Sequence, residues 1–334
     1  MSTLDTLLSP GTVRSAVLPV VRQQVSALEP TLARISSYHL GFIDEHGEPS
    51  GAANGKLTRA SLMMAAAAGV GLRPEDVLSQ AAALELLHNS TLIHDDIIDA
   101  DELRRGRKAA WTVFGTGLAI LAGDALQALS LQMVVDDPGA GRAEISSAFA
   151  DATRLVLAGQ SRELTVRLGP EAGIAEYDRI VEEKTSALLE CALVTGALRA
   201  GKPDHVLAAL RGAGRHLGLA FQIANDVEDI WGDPAVTGKP VRGDIGRRNP
   251  SFPVLAAFQV SARLRELWDA DDATPAHLQE MADLVEESGG RRTAEQTSRD
   301  HFDTALAHLG RAELTPAASA ELTSLFDRIV HRTA

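Results

Sequence analysis

The chain has 334 residues, 45% of them hydrophobic, 23% charged and only 4% aromatic, which is material for an ordinary globular core and excludes a fibrous or disordered polypeptide. A formal net charge of −13 argues against nucleic acid as a partner, because proteins that neutralise a phosphate backbone carry a basic face. The lone cysteine, Cys191, permits no intrachain disulfide, fits a reducing cytoplasmic setting and reads as core packing within LLECALVTGAL.

The opening MSTLDTLLSPG lacks a basic segment followed by a long apolar stretch, so no signal peptide is expected. Apolar residues at three-and-four spacing predict helices at about 11–28, 31–44, 57–71, 75–98, 116–135, 141–168, 174–200, 203–232, 252–267, 274–288, 292–310 and 315–332. Gly and Pro mark the breaks between them, and strand-like alternation is nearly absent. No gap reads as a linker, so residues 1–334 are taken as a single all-α domain. LMMAAAAGVGL, QAAALELLHNSTLI and LLECALVTGAL are apolar on more than one face, as in the centre of a helical bundle. The small run Ala65–Gly69 reads as a packing surface and not as chemistry. LAILAGDALQALSLQMVV carries Asp124 and Gln127 and falls short of the about 20 uninterrupted apolar residues of a bilayer span, so no membrane span is expected.

Two acidic clusters lie on helix-forming sequence. HDDIIDADELRRGR holds Asp95, Asp96 and Asp99, and FQIANDVEDIWGD holds Asn225, Asp226, Asp229 and Asp233. Positions i, i+1 and i+4 of a helix share one flank, so each cluster can aim oxygen ligands into one space. Hard oxygen donors that leave room for water and phosphate suit Mg²⁺, and two such walls would hold several ions bridging one diphosphate. A basic run follows each cluster: Arg104, Arg105, Arg107 and Lys108 after the first, and Lys239, Arg242, Arg247 and Arg248 after the second. Cations beside metal ligands are what a polyphosphate site needs, although either run alone also reads as a solvated surface. Metals and cations pulling on a diphosphate leaving group would aid carbon–oxygen cleavage to an allylic carbocation.

These segments, in this order, resemble the trans-isoprenyl diphosphate synthases. HNSTLIHDDIIDADELRRG is similar to the family's first Asp-rich motif with its trailing Arg pair and FQIANDVEDIWGD to the second, while EKTSALLE, AGQ and TGKP match further signatures. The resemblance implies an isoprenoid synthase-type helical bundle around a deep central cavity, usually a homodimer. It also implies condensation of isopentenyl diphosphate with an allylic diphosphate, dependent on Mg²⁺. Carried over by position, Asp95, Asp96 and Asp99 form the first metal wall, Asn225, Asp226 and Asp229 the second, and Arg104 holds the allylic diphosphate. Lys184, Thr185, Gln222 and Lys239 surround that diphosphate, while Lys56, Arg59, His88 and Arg105 hold isopentenyl diphosphate. Gln160 and Asp244 are weaker matches.

Three departures stand out. Asn225 replaces the first Asp of the second motif; Leu57 and Ala60 replace an Arg and a Pro in NGKLTRA; Asn249 and Pro250 occupy a Lys-Lys place in GRRNPSFP. Because Asn225, Asp229 and Asp233 recur every four residues, the second segment is also similar to the metal motif of class I terpene cyclases, which use no isopentenyl diphosphate. The retained Lys56, Arg59, His88 and Arg105 favour elongation over cyclisation or transfer to another acceptor, and the intact first Asp motif counts against a third reading, a non-catalytic modulatory subunit. Ser90 and Thr91 stand five and four residues before Asp95, where the family uses bulky aromatics to floor a short cavity. Small residues there imply a longer product, with geranylgeranyl diphosphate preferred and Leu87, Met63 or Met64 as deeper floors.

Overall fold

Prolines and short polar side chains set where the helices begin. In the computed structural model, which describes residues 9–51, 55–165, 173–233, 241–249, 251–270 and 274–331, the Ser9 hydroxyl accepts the Thr12 N–H at 3.3 Å ahead of helix α1 (Pro10–Ser26). The Glu29 carboxylate does the same for Thr31 and Leu32 ahead of α2 (Pro30–His39). Each cap satisfies donors that a helix start leaves open, and Pro at the first position loses nothing there. The protein is all-α, 77% helical, and divides into two compact units: Met1–Thr153 with Cys191–Ala208 and Ala312–Leu325, and Arg154–Glu190 with Ala209–Arg311 and Phe326–Ala334.

In the first unit α2 stops at His39 and not at residue 44. Gly41 takes a φ of 75°, and the Asp44 carboxylate accepts the N–H groups of His46 and Glu48, both at 2.9 Å, folding the following segment into a turn. Helix α3 (Thr58–Gly69) is buried at every residue from Ala60 onward, which is the packing role expected of its small run. Helix α4 (Leu78–Ile98) follows a 3₁₀ turn at Pro74–Val77 and packs along α6 (Thr116–Val135), where the Ser130 hydroxyl donates to the Ala83 carbonyl at 2.7 Å. By length and hydropathy α6 does qualify as a membrane-spanning helix, with a mean of 1.6 despite Asp124 and Gln127; 39% of its window is buried and Leu121 and Val135 are exposed. Between α4 and α6 lie features the helical pattern missed. Leu103–Arg104 (β1) and Arg107–Lys108 (β2) pair as a two-stranded hairpin, followed by the short α5 (Ala110–Phe114).

The second unit gathers its core from Tyr177, Ile223, Ile245, Phe252, Leu255, Phe258, Trp268 and Met281, all buried. The predicted helix 252–267 is two helices, α12 (Phe252–Phe258) and α13 (Ala262–Asp269). The Ser261 hydroxyl accepts the Leu264 N–H at 3.2 Å and restarts the chain in a new direction, which sets Trp268 edge-on to Phe258 at 5.2 Å between centroids. Helices α14 (Pro275–Glu287) and α15 (Gly290–Leu309) enclose this core. The predicted helix 174–200 is α8 (Ile174–Val181), a π-helical turn at Glu182–Ser186, and α9 (Ala187–Arg199). The remaining elements are α7 (Arg142–Thr165), α10 (Asp204–Trp231), α11 (Gly243–Gly246) and α16 (Pro316–Val330). Residues 166–168 of the predicted helix 141–168 lie outside the described residues, as do Lys239 and Pro250.

Candidate active site

The first acidic cluster forms the C-terminal end of α4, with Asp99 as the residue after its last turn. Helical geometry separates the three carboxylates by environment: Asp96 is buried, Asp95 is partly buried and Asp99 is exposed. Arg104 reaches back from β1 to Asp96 Oδ1 with its Nε at 2.7 Å and also with Nη2. Burial works against the Arg104 charge, yet the hydrogen bond and charge of Asp96 hold the guanidinium above its ordinary pKa. Asp96 Oδ2 stays buried without a partner. A buried carboxylate oxygen with an open lone pair is a position that a hard cation or a phosphate-bound metal satisfies. Among the described residues no three His, Cys, Asp or Glu side chains converge as a ready-made metal cage, and a Mg²⁺ held by one or two carboxylates plus substrate phosphate requires none.

The hairpin explains how two consecutive arginines serve different places. Arg105 and Gly106 both take positive φ, 55° and 74°, the geometry of a tight two-residue turn between antiparallel strands. Arg104, on the strand, meets Asp96; Arg105, at the turn, points Nη2 toward Asn89 Oδ1 at 3.5 Å. A non-glycine residue with positive φ is strained, and strain of this kind concentrates at functional positions. Arg107 is structural: it donates to the carbonyls of Tyr38 and Ile43 at 3.2 and 2.9 Å and covers the Tyr38 ring.

Arg105 belongs to a second cationic group in the same unit. Gly55, with a φ of 76°, lies so close that a Cβ there would stand 2.9 Å from Arg105 Nη2; the backbone angle favours glycine, and a side chain would also displace the Arg105 tip. Lys56 follows, exposed, and Arg59 lies in the first turn of α3 with its Nε buried and unpartnered. His88 Nδ1 is likewise buried without a partner. Burial, then the charges of Arg59 and Arg105, push the His88 imidazole well below its ordinary pKa, so it enters as a neutral donor or acceptor among guanidinium groups. His39, buried beside Arg105 and Arg104, is pushed down to about 3 by burial and then by those charges. Arginines gathered around neutral imidazoles make an environment that favours an anionic ligand. Ser90 and Thr91 turn their hydroxyls back onto the carbonyls of Leu87 and His88 at 2.7 and 2.8 Å. Leu87, Met63 and Met64 are buried.

In the second unit the second cluster lies near the end of α10. Asp226 is buried and both its oxygens are engaged: Tyr177 Oη and the Phe252 N–H donate to Oδ2 at 2.7 and 2.9 Å, and Gln222 Nε2 donates to Oδ1 at 3.0 Å. Burial and the neighbouring Asp244 charge push its pKa up to about 7. Asn225 and Asp229 are partly buried on the same helix, and Asp229 Oδ2 accepts the Asp244 N–H at 2.9 Å. The expected stripe of Asn225, Asp229 and Asp233 is broken, because α10 ends at Trp231 and Asp233 lies exposed beyond it. Asn249 donates to Asp244 Oδ1 at 3.3 Å, and Arg247 does so at 2.9 Å. The altered segment is therefore tied to Asp244.

The Thr185 hydroxyl extends the Asp226 chain by donating to Gln222 Oε1 at 3.4 Å. Glu163, Tyr177, Lys184, Thr185, Gln222, Asp226 and Asn249 line one cavity. Lys184 pairs with Glu163 and sits in the π turn, where a Cβ on Gly159 would stand 2.7 Å from the Lys184 nitrogen. Gly159 of the AGQ signature thus admits the widened turn, and both amide atoms of its neighbour Gln160 are buried without partners. Lys239 and the TGKP signature lie outside the described residues. Tyr177, Glu163, Glu85 and Asn89 were missed in the sequence; only the hairpin left a local signal, the Arg-Gly turn pair between LR and RK.

The polyprenyl synthetase family pattern matches residues 44–286. The (2E,6E)-farnesyl diphosphate synthase of Mycobacterium tuberculosis is 35% identical, over 97% of this chain and 92% of its own length. The geranylgeranyl diphosphate synthase of the same organism is 36% identical, over 89% and 87%. A crystal structure of a polyprenyl synthetase from Streptomyces coelicolor A3(2) superposes with a TM-score of 0.90 at 33% identity, covering 96% of this chain and 98% of that one. Family members use divalent metal ions and isoprenyl diphosphate substrates. With the family pattern matched over most of its length and relatives at 35–36% identity, the chain belongs to the polyprenyl synthetase family of trans-prenyltransferases.

Proposed function

We propose that the protein elongates an allylic diphosphate with isopentenyl diphosphate in a Mg²⁺-dependent reaction, with geranylgeranyl diphosphate as the product. The observation that carries this reading is the pair of guanidinium groups, Arg59 and Arg105, set around the neutral His88, an anion-binding arrangement that an enzyme ionising a single substrate has no use for. Bound divalent metal would neutralise the allylic diphosphate and weaken its bond to carbon. Oxygen ligands for such a metal are present within each unit taken by itself: Asp95, Asp96 and Asp99 in the first, Asn225 and Asp229 in the second. The orphaned Asp96 Oδ2 fits that role. Arg104 in the first unit and Lys184 in the second are each paired with a carboxylate of their own unit; metal taking up that acidic charge would free either cation for phosphate, and Thr185 and Gln222 beside Lys184 would steady positive charge. As the carbon–oxygen bond breaks, the isopentenyl double bond supplies the electrons of the new carbon–carbon bond, and a proton leaves to the departing diphosphate. No protein base is required.

The geranylgeranyl assignment rests on Ser90 and Thr91, small side chains bonded back onto their own helix where bulky aromatics would floor a short cavity. Purified protein is to be incubated with Mg²⁺ and dimethylallyl, geranyl or farnesyl diphosphate, with and without isopentenyl diphosphate, and the products identified by mass spectrometry. Longer diphosphates that form only with isopentenyl diphosphate, ending at twenty carbons, are the expected result. Hydrocarbon or alcohol formed from an allylic diphosphate alone would identify a cyclase.

A further inference from the structure

Helix α3 begins without a cap of its own. Leu57, the residue before it, has a φ of 50° and no side-chain hydrogen bond to the first turn, so the first N–H groups need an acceptor from elsewhere. That acceptor is Glu85 of α4, whose Oε1 takes the Ala60 N–H at 2.9 Å. Glu85 is only 4% exposed. A carboxylate of this kind is normally excluded from a core unless paired. Burial pushes its pKa up, and the Ala60 hydrogen bond, then the charges of Arg59 and Arg105, work against that push without cancelling it. One turn further along α4, Asn89 Nδ2 donates to the Glu85 carbonyl at 2.7 Å and its Oδ1 faces Arg105 Nη2. Glu85, His88 and Asn89 therefore share one face of α4 at i, i+3 and i+4.

We propose that Glu85, seconded by Asn89, is the positioning residue of the isopentenyl diphosphate pocket: it caps the helix that carries Arg59 and supplies the buried negative charge that holds Arg59 and Arg105 together. The inference rests on the elongation reading and deepens it. Without this carboxylate two guanidinium groups and an uncapped helix start would repel one another, and Arg59 would lose its fixed place before any substrate arrived. With it, the pocket is assembled in advance, and the bound diphosphate adds to an arrangement already neutralised from below.

The test compares wild type, Glu85→Gln, Glu85→Ala and Asn89→Ala in steady-state kinetics with each substrate varied separately, after circular dichroism and melting confirm folding. Glu85→Gln keeps an oxygen for the Ala60 N–H but removes the charge, and is expected to raise KM for isopentenyl diphosphate about tenfold, with Glu85→Ala nearer a hundredfold. Asn89→Ala should raise it by about fivefold. KM for the allylic diphosphate should stay within about twofold throughout, because Glu85 stands about 15 Å of helix before Asp95. Folded variants with lower melting temperatures but an unchanged KM for isopentenyl diphosphate would make Glu85 a folding cap only and overturn the proposal. A parallel rise in both KM values would overturn it too. Should Glu85→Ala not fold, Glu85→Gln and Asn89→Ala decide. Wild-type protein that neither binds nor consumes isopentenyl diphosphate would instead remove the elongation reading, and this inference with it.

Discussion

The two acidic segments solve one problem in opposite ways. Each turns one aspartate into the protein, Asp96 in the first unit and Asp226 in the second. Asp96 is met by a cation, Arg104, and keeps one oxygen open. Asp226 is met by a phenol, an amide and a backbone N–H, with a second carboxylate, Asp244, close enough to oppose its charge. The first segment carries its counter-charge with it; the second holds a buried acid on neutral donors and gains from any cation that arrives. Similar sequence motifs thus conceal different electrostatics, and the difference can be broken experimentally.

The largest expected effect is on turnover. Asp95→Ala removes a partly buried carboxylate from the C-terminal end of α4 and should lower kcat by about a thousandfold or more at saturating substrate; residual activity within tenfold of wild type would take Asp95 out of the site. Next come two matched substitutions whose stability effects should differ in sign. In metal-free buffer at pH 8, Asp96→Asn leaves Arg104 only the longer ion pair to Asp101, at 3.8 Å, and should cost about 3 kcal/mol. Asp226→Asn removes a buried charge and should raise the melting temperature by several degrees. Because the folded pKa of Asp226 lies above its unfolded value, the native state binds the extra proton between about pH 4 and 7, and stability falls as pH rises through that window. Asp226→Asn should abolish that slope. Equal destabilisation by the two variants would erase the contrast.

A third effect belongs to the cationic pocket. His39 is neutral in the fold, with a pKa of about 3 against 6.5 unfolded. The unfolded chain therefore takes up the proton first, and stability is lost as pH falls through the unfolded value toward 3. Between pH 7 and 5 the loss should be about 2 kcal/mol, read from urea titrations and reduced in His39→Gln. The smallest effect is at Asn225, where Asn225→Asp restores an anionic ligand to the second segment and should leave elongation unchanged or raise it severalfold. Lower elongation in that variant would overturn the role given to Asn225.

Helix content and both acidic segments were legible in the sequence because they depend on local spacing, and the structure keeps Asp95, Asp96 and Asp99 at one helix end as the period requires. What was not legible depends on contacts far apart in sequence. Glu85 looked like one polar residue in an apolar helix, and only its bond to Ala60 gives it a purpose. The π turn at Lys184 needs the close approach of Gly159. The separation of Arg104 from Arg105 needs a hairpin of two-residue strands, too short to leave an alternating pattern. The stripe through Asp233 failed because the helix ends two residues earlier, and Gly232 was the available sign.

The most direct test of the account is calorimetric titration of isopentenyl diphosphate into the metal-free protein, with EDTA present and no allylic substrate, alongside His88→Ala. A pocket made of Lys56, Arg59, His88 and Arg105 contains no ligand that requires metal, so one molecule should bind per chain without it, about tenfold more weakly in the variant. Absence of binding to the wild type, or an affinity that His88→Ala leaves unchanged, would contradict the assignment of this pocket to the second substrate.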